Sequence, residues 1–286
     1  MAPSSSPTVR RRQLAAELRR LRLHSKLTIE QVANGLDWSP GKVSRIENAR
    51  NSVNQRDTRR LLDLYGVGEG AEREALLTLA RQSRERGWWQ VYGDAVPEWF
   101  ATYVGLEAEA SSISMYQAEV VPGLLQTKGY AMALHRAAAI TATEEEIEQQ
   151  VEVRMERQAH LEDADGPRLW VVLNEAVIQR MVGDRAVMHD QLAKLIDASQ
   201  RPSITLQVLP FSAGAHASMD SAFSIVSFDP PAEGDVVYFE HPTWSLYLEK
   251  HEEISRYRLV FEHLRASALS LEMTRTQLTR RLEELA

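Results

Sequence analysis

Through the first 85 positions apolar residues recur at helical spacing. Leu14, Leu18 and Leu21 lie four and three apart, ringed by Arg11, Arg12, Arg19, Arg20 and Arg22, which predicts an amphipathic helix. Thr28 followed by Gln31 has the form of a capping box and predicts a second helix that buries Ile29, Val32 and Ala33 and ends near Leu36. Ser39 suits an N-cap and Pro40 a first helical position, so a third helix opens there, anchored by Val43 and Ile46. A fourth is expected over 55–65, with Leu61, Leu62 and Leu64. Gly66, Gly68 and Gly70 break the pattern before a fifth over 72–84.

Past Gly87-Trp88-Trp89 the pattern changes twice. Helices are expected first, over 99–115, 126–139 and 143–161, the last with Ile147, Val151 and Met155 as a stripe four apart. Short apolar or alternating runs bounded by Pro, Gly or Asp then read as strands at 169–173, 204–209, 223–228 and 236–239. Helices over 175–181, 187–198 and 254–269 lie between or after them. This second region is α+β or α/β, with its strand order open.

Composition sharpens that division. A chain of 286 residues suggests about two domains. The net charge is −7, yet residues 1–60 carry thirteen Lys and Arg against five Asp and Glu, a balance of +8. Residues 87–286 carry sixteen against thirty, a balance of −14. A basic head on an acidic body suggests that the head meets a polyanion. Zero cysteines exclude disulfides, cysteine zinc sites, iron–sulfur clusters and a cysteine nucleophile. With no secretory leader and no membrane-length apolar run, the chain reads as cytoplasmic, in the nucleoid.

The segment 28–48 carries the chemistry. Two short amphipathic helices joined by a three- or four-residue turn bury little alone and must pack on a scaffold helix. Val43 and Ile46 anchor the second helix, leaving Gly41, Lys42, Ser44 and Arg45 on the opposite face. Such short and basic groups suit a major groove. This segment, with its ending Val43-Ser44-Arg45-Ile46-Glu47-Asn48, resembles the Cro- and phage-repressor-like helix-turn-helix of the XRE family over about residues 10–66. The resemblance implies that Pro40, Gly41, Ser44 and Arg45 face base edges and that Thr28, Lys42 and Asn48 lie near phosphates. Arg45 is the best base reader, since a guanidinium bonds bidentately to guanine O6 and N7. Arg50, Asn51 and the first-helix arginines would add salt-sensitive attraction. Pro40 and Gly41 depart from the polar residues common there and shift specificity toward Arg45, Ser44 and DNA shape. For Glu47 and Asn48, capping or pairing within the fold is the better reading of the residues themselves.

The body carries Val121-Pro122-Gly123-Leu124-Leu125-Gln126-Thr127 before Tyr130-Ala131, then Arg154-Met155-Glu156-Arg157-Gln158, Asn174-Glu175-Ala176-Val177 and Gln207-Val208-Leu209-Pro210. In this order the runs resemble actinobacterial WhiJ-like regulators. The resemblance implies a regulator, often with a small protein partner encoded nearby in an antitoxin-like arrangement, and it admits a small-molecule effector. A homodimer on double-stranded DNA is expected from DNA-binding geometry and family habit. On the residues alone, 121–127 is a turn feeding a helix docked into the core. Trp88, Trp89, Trp99 and Tyr103 read as packing, and Arg154 and Arg157 with Glu152 and Glu156 as a solvated face. No GxSxG, HExxH or Walker lysine occurs, and Gly66-Val67-Gly68-Glu69-Gly70 follows a helix, not a strand, so no enzyme, metal or cofactor is expected.

The expectation is therefore a multidomain chain: a disordered leader over 1–8, an all-α helix-turn-helix domain over 9–70, a helical linker over 71–90, and a larger α+β or α/β ligand- or partner-binding domain over 91–286. An antitoxin-like protein that autoregulates its operon is the alternative function.

Overall fold

The computed structural model describes residues 7–84, 87–138, 141–159, 161, 163, 166–229, 234–241 and 244–285. Two compact units result, Met1–Gln90 and Val91–Ala286.

The first unit is helical: α1 (Pro7–His24), α2 (Ile29–Leu36), α3 (Pro40–Glu47), α4 (Gln55–Leu64) and α5 (Ala71–Gln82). Its core gathers Leu14, Leu18 and Leu21 of α1, Val32, Ala33 and Leu36 of α2, Val43 and Ile46 of α3, and Leu61 and Leu62 of α4. Each fully buried leucine contributes about 1.5–3 kcal/mol. Leu76, Leu77 and Ala80 of α5 enter the same core, so α5 belongs to the packing of this unit and is not a linker. Residues 7 and 8, assigned to the leader, are the start of α1, and the rest of the leader lies outside the described residues.

The second unit is α+β, built on six strands: β1 (Ser112–Gln117), β2 (Arg168–Asn174), β3 (Ile204–Leu209), β4 (Phe223–Ser227), β5 (Val236–His241) and β6 (Trp244–Leu248). They form one sheet in the order β3-β2-β1-β4-β5-β6, with β1, β2 and β3 parallel and β4, β5 and β6 antiparallel. The helices are α6 (Glu98–Glu107), α7 (Lys128–Ala138), α8 (Glu144–Ala159), α9 (Glu175–Gln179), α10 (Arg185–Ala198), α11 (His251–Ser267) and α12 (Leu271–Glu283). One sheet face presents Tyr116, Val172, Leu209, Phe223, Ile225 and Val237 to Ile254, Phe261 and Leu264 of α11. On the other, Tyr238 stacks on Tyr103 of α6 with ring centres 4.1 Å apart.

The helix expected over 99–115 is corrected. It ends at Glu107, and Ser112–Gln117 is the strand between β2 and β4. Ile113 and Met115 alternate with Ser112 and Ser114, a period-2 pattern too short to stand out behind a helix and stabilised by neighbours far along the chain. Strand β6 and helix α12 were not expected either. Gln126 and Thr127 belong to a turn rather than to α7, which starts at Lys128.

Candidate nucleic-acid interface

The α2–α3 frame is set by local caps. Gln31 N–H donates to Thr28 Oγ1 at 3.2 Å, and Thr28 N–H donates back to Gln31 Oε1 at 2.8 Å. Two of the orphan donors at the start of α2 are thereby satisfied. Asp37 ends α2 in the left-handed conformation at φ 56°, and its N–H bonds Ala33 and Asn34 carbonyls. Ser39 Oγ then accepts from Lys42 N–H at 3.2 Å, with Pro40 opening α3. The turn between the helices is three residues, Asp37, Trp38 and Ser39.

On α3, Val43, Ile46 and Glu47 are buried. Glu47 takes Arg22 Nε and Nη2 on its two oxygens at 2.7 and 2.9 Å, and Arg22 Nη1 bonds Leu27 carbonyl at 2.8 Å. This fork ties α3 to α1. Arg22 is therefore not one of the first-helix arginines open to a phosphate, and its guanidinium is held further above its ordinary pKa by Glu47. Arg20 is also engaged, by Glu17 and Glu72.

The opposite side of α3 exposes Pro40, Gly41 and Arg45, with Ser44 half-buried. Among the described residues the Arg45 guanidinium has no hydrogen bond or ion pair. It lies back over Gly41, where a Cβ would come within 3.2 Å of Arg45 Nη1, so glycine gives the arginine its room. Arg50 and Asn51 are exposed just beyond α3. Two residues are more committed. Lys42 Nζ bonds Asp57 Oδ2 at 2.8 Å and sits 3.6 Å from the Trp38 ring centre. Asn48 caps α3, its Nδ2 donating to Ser44 carbonyl at 2.8 Å and to Ser44 Oγ at 3.3 Å. Thr28 is exposed, with its hydroxyl in the capping box. Asp57 and Trp38, which restrain Lys42, had no role in the sequence reading. The only hint was an acidic residue in the first turn of α4.

In the second unit, the turn 121–127 is locked between α8 and α10. Gln158 Nε2 donates to the carbonyls of Gly123 and Gln126 at 2.7 and 2.9 Å. Gln191 Nε2 donates to Leu125 carbonyl at 2.8 Å and Lys194 Nζ to Gln126 carbonyl at 2.9 Å. Leu124 and Leu125 are buried. They border a cleft of about 310 Å³ shared with Leu161, Asp190, Lys194, Asp197 and Ile204.

Arg157 corrects the expectation of a solvated face: it is buried and forks onto Glu107 with two 2.7 Å bonds. Burial pulls its pKa down, but the charge and hydrogen bonds of Glu107 outweigh that and leave it raised. Among the described residues Arg154 bonds the neutral Gln126 Oε1, at 2.6 Å, and burial beside Arg157 lowers it to about 10. Among the described residues no group of acidic or histidine side chains could hold a metal ion, and no helix is long and apolar enough to cross a membrane.

Head and body thus define a class: a helix-turn-helix domain joined to a larger α+β domain. Residues 13–76 match a helix-turn-helix domain model. Residues 100–280 match the family described as a domain of unknown function, DUF5753, and the chain belongs to that family. No curated protein and no solved structure matches the chain.

Proposed function

We propose that this protein is a sequence-specific DNA-binding transcription regulator of the XRE type that places α3 in the major groove. The observation that carries the reading is Arg45: an exposed guanidinium without a hydrogen bond or ion pair among the described residues, on the outward face of a helix whose inward face is fixed by Val43, Ile46 and Glu47. A cation kept unpaired at a defined position is suited to a bidentate contact with guanine, while Arg50 supplies charge toward the backbone. Ser44 and Gly41 are short enough to let the helix approach the base edges.

The reading extends to two copies on related half-sites about 34–36 Å apart, the spacing that brings successive major grooves to one side of the duplex. The body, by its resemblance to WhiJ-like regulators, would sense a ligand or a small protein partner. The regulator would work in the cytoplasm, on the nucleoid, with no catalytic step of its own.

The test is binding of the full chain to its own upstream DNA against scrambled competitor, across a salt series. Retention against competitor, lost in Arg45→Ala, supports the reading. Equal affinity for operator and scrambled duplex in both proteins overturns it.

A further inference from the structure

The two edges of the sheet in the second unit are treated differently. At the β3 edge, Val208 N–H donates to Thr274 Oγ1 at 3.1 Å and Val208 carbonyl accepts from Leu269 N–H at 2.8 Å. The α11–α12 junction thus occupies the outward groups of Val208, among those another strand would need. At the other end, among the described residues, β6 has a sheet neighbour on one side only, β5. Its Ser245 and Tyr247 side chains turn toward α6, both donating to Trp99 carbonyl. The opposite face shows Trp244, 49% exposed, and Leu246, 43% exposed. The strand Trp-Ser-Leu-Tyr-Leu contains no proline and no charge. Natural edge strands usually carry such guards, because an unguarded edge is a template for pairing.

We propose that β6 is a self-pairing edge through which two copies of this chain join antiparallel into a two-fold dimer. The sequence of the strand is complementary to itself. With the axis at Tyr247, Leu246 faces Leu248 of the second copy, Trp244 faces Lys250, and Ser245 faces Glu249. Apolar residues then oppose apolar ones, a cation lies over an indole, and no like charges are opposed. The axis at Leu246 also keeps like charges apart and sets Trp244 against Leu248. The blocked β3 edge decides the form of the assembly. A β6-to-β3 contact would propagate into a filament, and it would have to displace Thr274 and Leu269 from Val208. The isologous β6-to-β6 contact displaces nothing of the kind, and it closes at two copies. The inference is carried by the sheet alone and stands apart from the DNA-binding reading, although it supplies the second copy that reading calls for.

The test uses the full chain in sedimentation equilibrium over a concentration series. The parent should have twice the chain mass, and Leu246→Lys should raise the dissociation constant roughly thirtyfold or more. Its far-ultraviolet circular dichroism should not change, since Leu246 is 43% exposed and outside the buried core. Because the chain has no cysteine, single thiols report the register cleanly. Under a mild oxidant, Leu246→Cys or Tyr247→Cys should cross-link to its own copy, and Leu259→Cys on the exposed side of α11 should not. A monomeric parent overturns the proposal. So does a dimer that survives Leu246→Lys, or a strand thiol that captures a foreign protein in place of its copy. Binding of a single half-site that depends on Arg45 is read separately, so failure of the edge and failure of the DNA reading give different results.

Discussion

Lys42 Nζ lies 2.8 Å from Asp57 Oδ2 and 3.6 Å from the centre of the Trp38 ring, so the only lysine of α3 is restrained by the fold that presents it. A lysine so held must exchange an internal carboxylate for a phosphate, which lowers its net contribution to attraction for any duplex. On the proposed reading, Asp57 would thereby favour contacts made by Arg45 over contacts made to any sequence. Asp57→Asn should therefore raise affinity for random duplex several-fold and steepen the logarithmic salt dependence by about 0.9, one phosphate's worth. Fluorescence anisotropy across a salt series checks this. Identical slopes for parent and variant would show that Lys42 reaches phosphate despite Asp57.

Arg45→Ala removes the unpaired guanidinium on the outer face of α3. It should cost about 1–3 kcal/mol of discrimination between operator and single-base mismatches, with an unchanged melting temperature. Gly41→Ala is the milder companion, since its Cβ would crowd Arg45 Nη1 at 3.2 Å and move the arginine by a few tenths of an ångström. Competition binding against a panel of mismatched duplexes checks both. A parent-like preference in Arg45→Ala would assign base reading elsewhere.

The buried fork of Arg22 and Glu47 predicts stability rather than recognition. Glu47→Ala leaves a guanidinium in the core without its partner and should destabilise the first unit by about 3–5 kcal/mol. Replacing both partners, Arg22→Met with Glu47→Leu, should recover most of that loss, because apolar groups of similar volume carry no desolvation cost. Urea unfolding of the three proteins distinguishes the cases. A double variant no more stable than Glu47→Ala would mean that the fork orients α3 in a way that packing cannot replace.

In the second unit His135 predicts a pH dependence. Burial, with the nearby charge of Arg154, lowers its pKa to about 4, and among the described residues its buried Nε2 has no hydrogen-bond partner. The unfolded imidazole titrates near ~6.5. As pH falls from that value to about 4, the unfolded chain takes up a proton that the folded one refuses, so stability declines across this window. His135→Leu should flatten that part of the profile. Urea midpoints measured from neutral pH down to about 4 check it, and parallel curves for parent and variant would remove His135 as the cause.

The helix-turn-helix was legible in the residues because what defines it is local. The capping box of Thr28 and Gln31, the Ser39–Pro40 start and the Val43–Ile46 spacing each act within four residues, and each forms as expected. Asn48 as a cap was legible for the same reason. The alternating α+β character of the body was also visible, as short apolar runs between turn residues.

What only the tertiary structure decided involves partners far apart in sequence. Ser112–Gln117 became a strand because β2 and β4, about fifty and more than a hundred residues on, flank it. Arg22 met Glu47 across 25 positions and Arg157 met Glu107 across 50, turning arginines that looked solvated into buried ones. Lys42 and Asp57, fifteen apart on separate helices, were joined only when α4 packed beside α3. Periodicity and caps report the energetics of a few successive residues, whereas strand pairing and buried charge depend on which surfaces the whole chain brings together. The sequence by itself therefore determined the frame that presents Arg45, and the fold decided which of the neighbouring charges remain free to act.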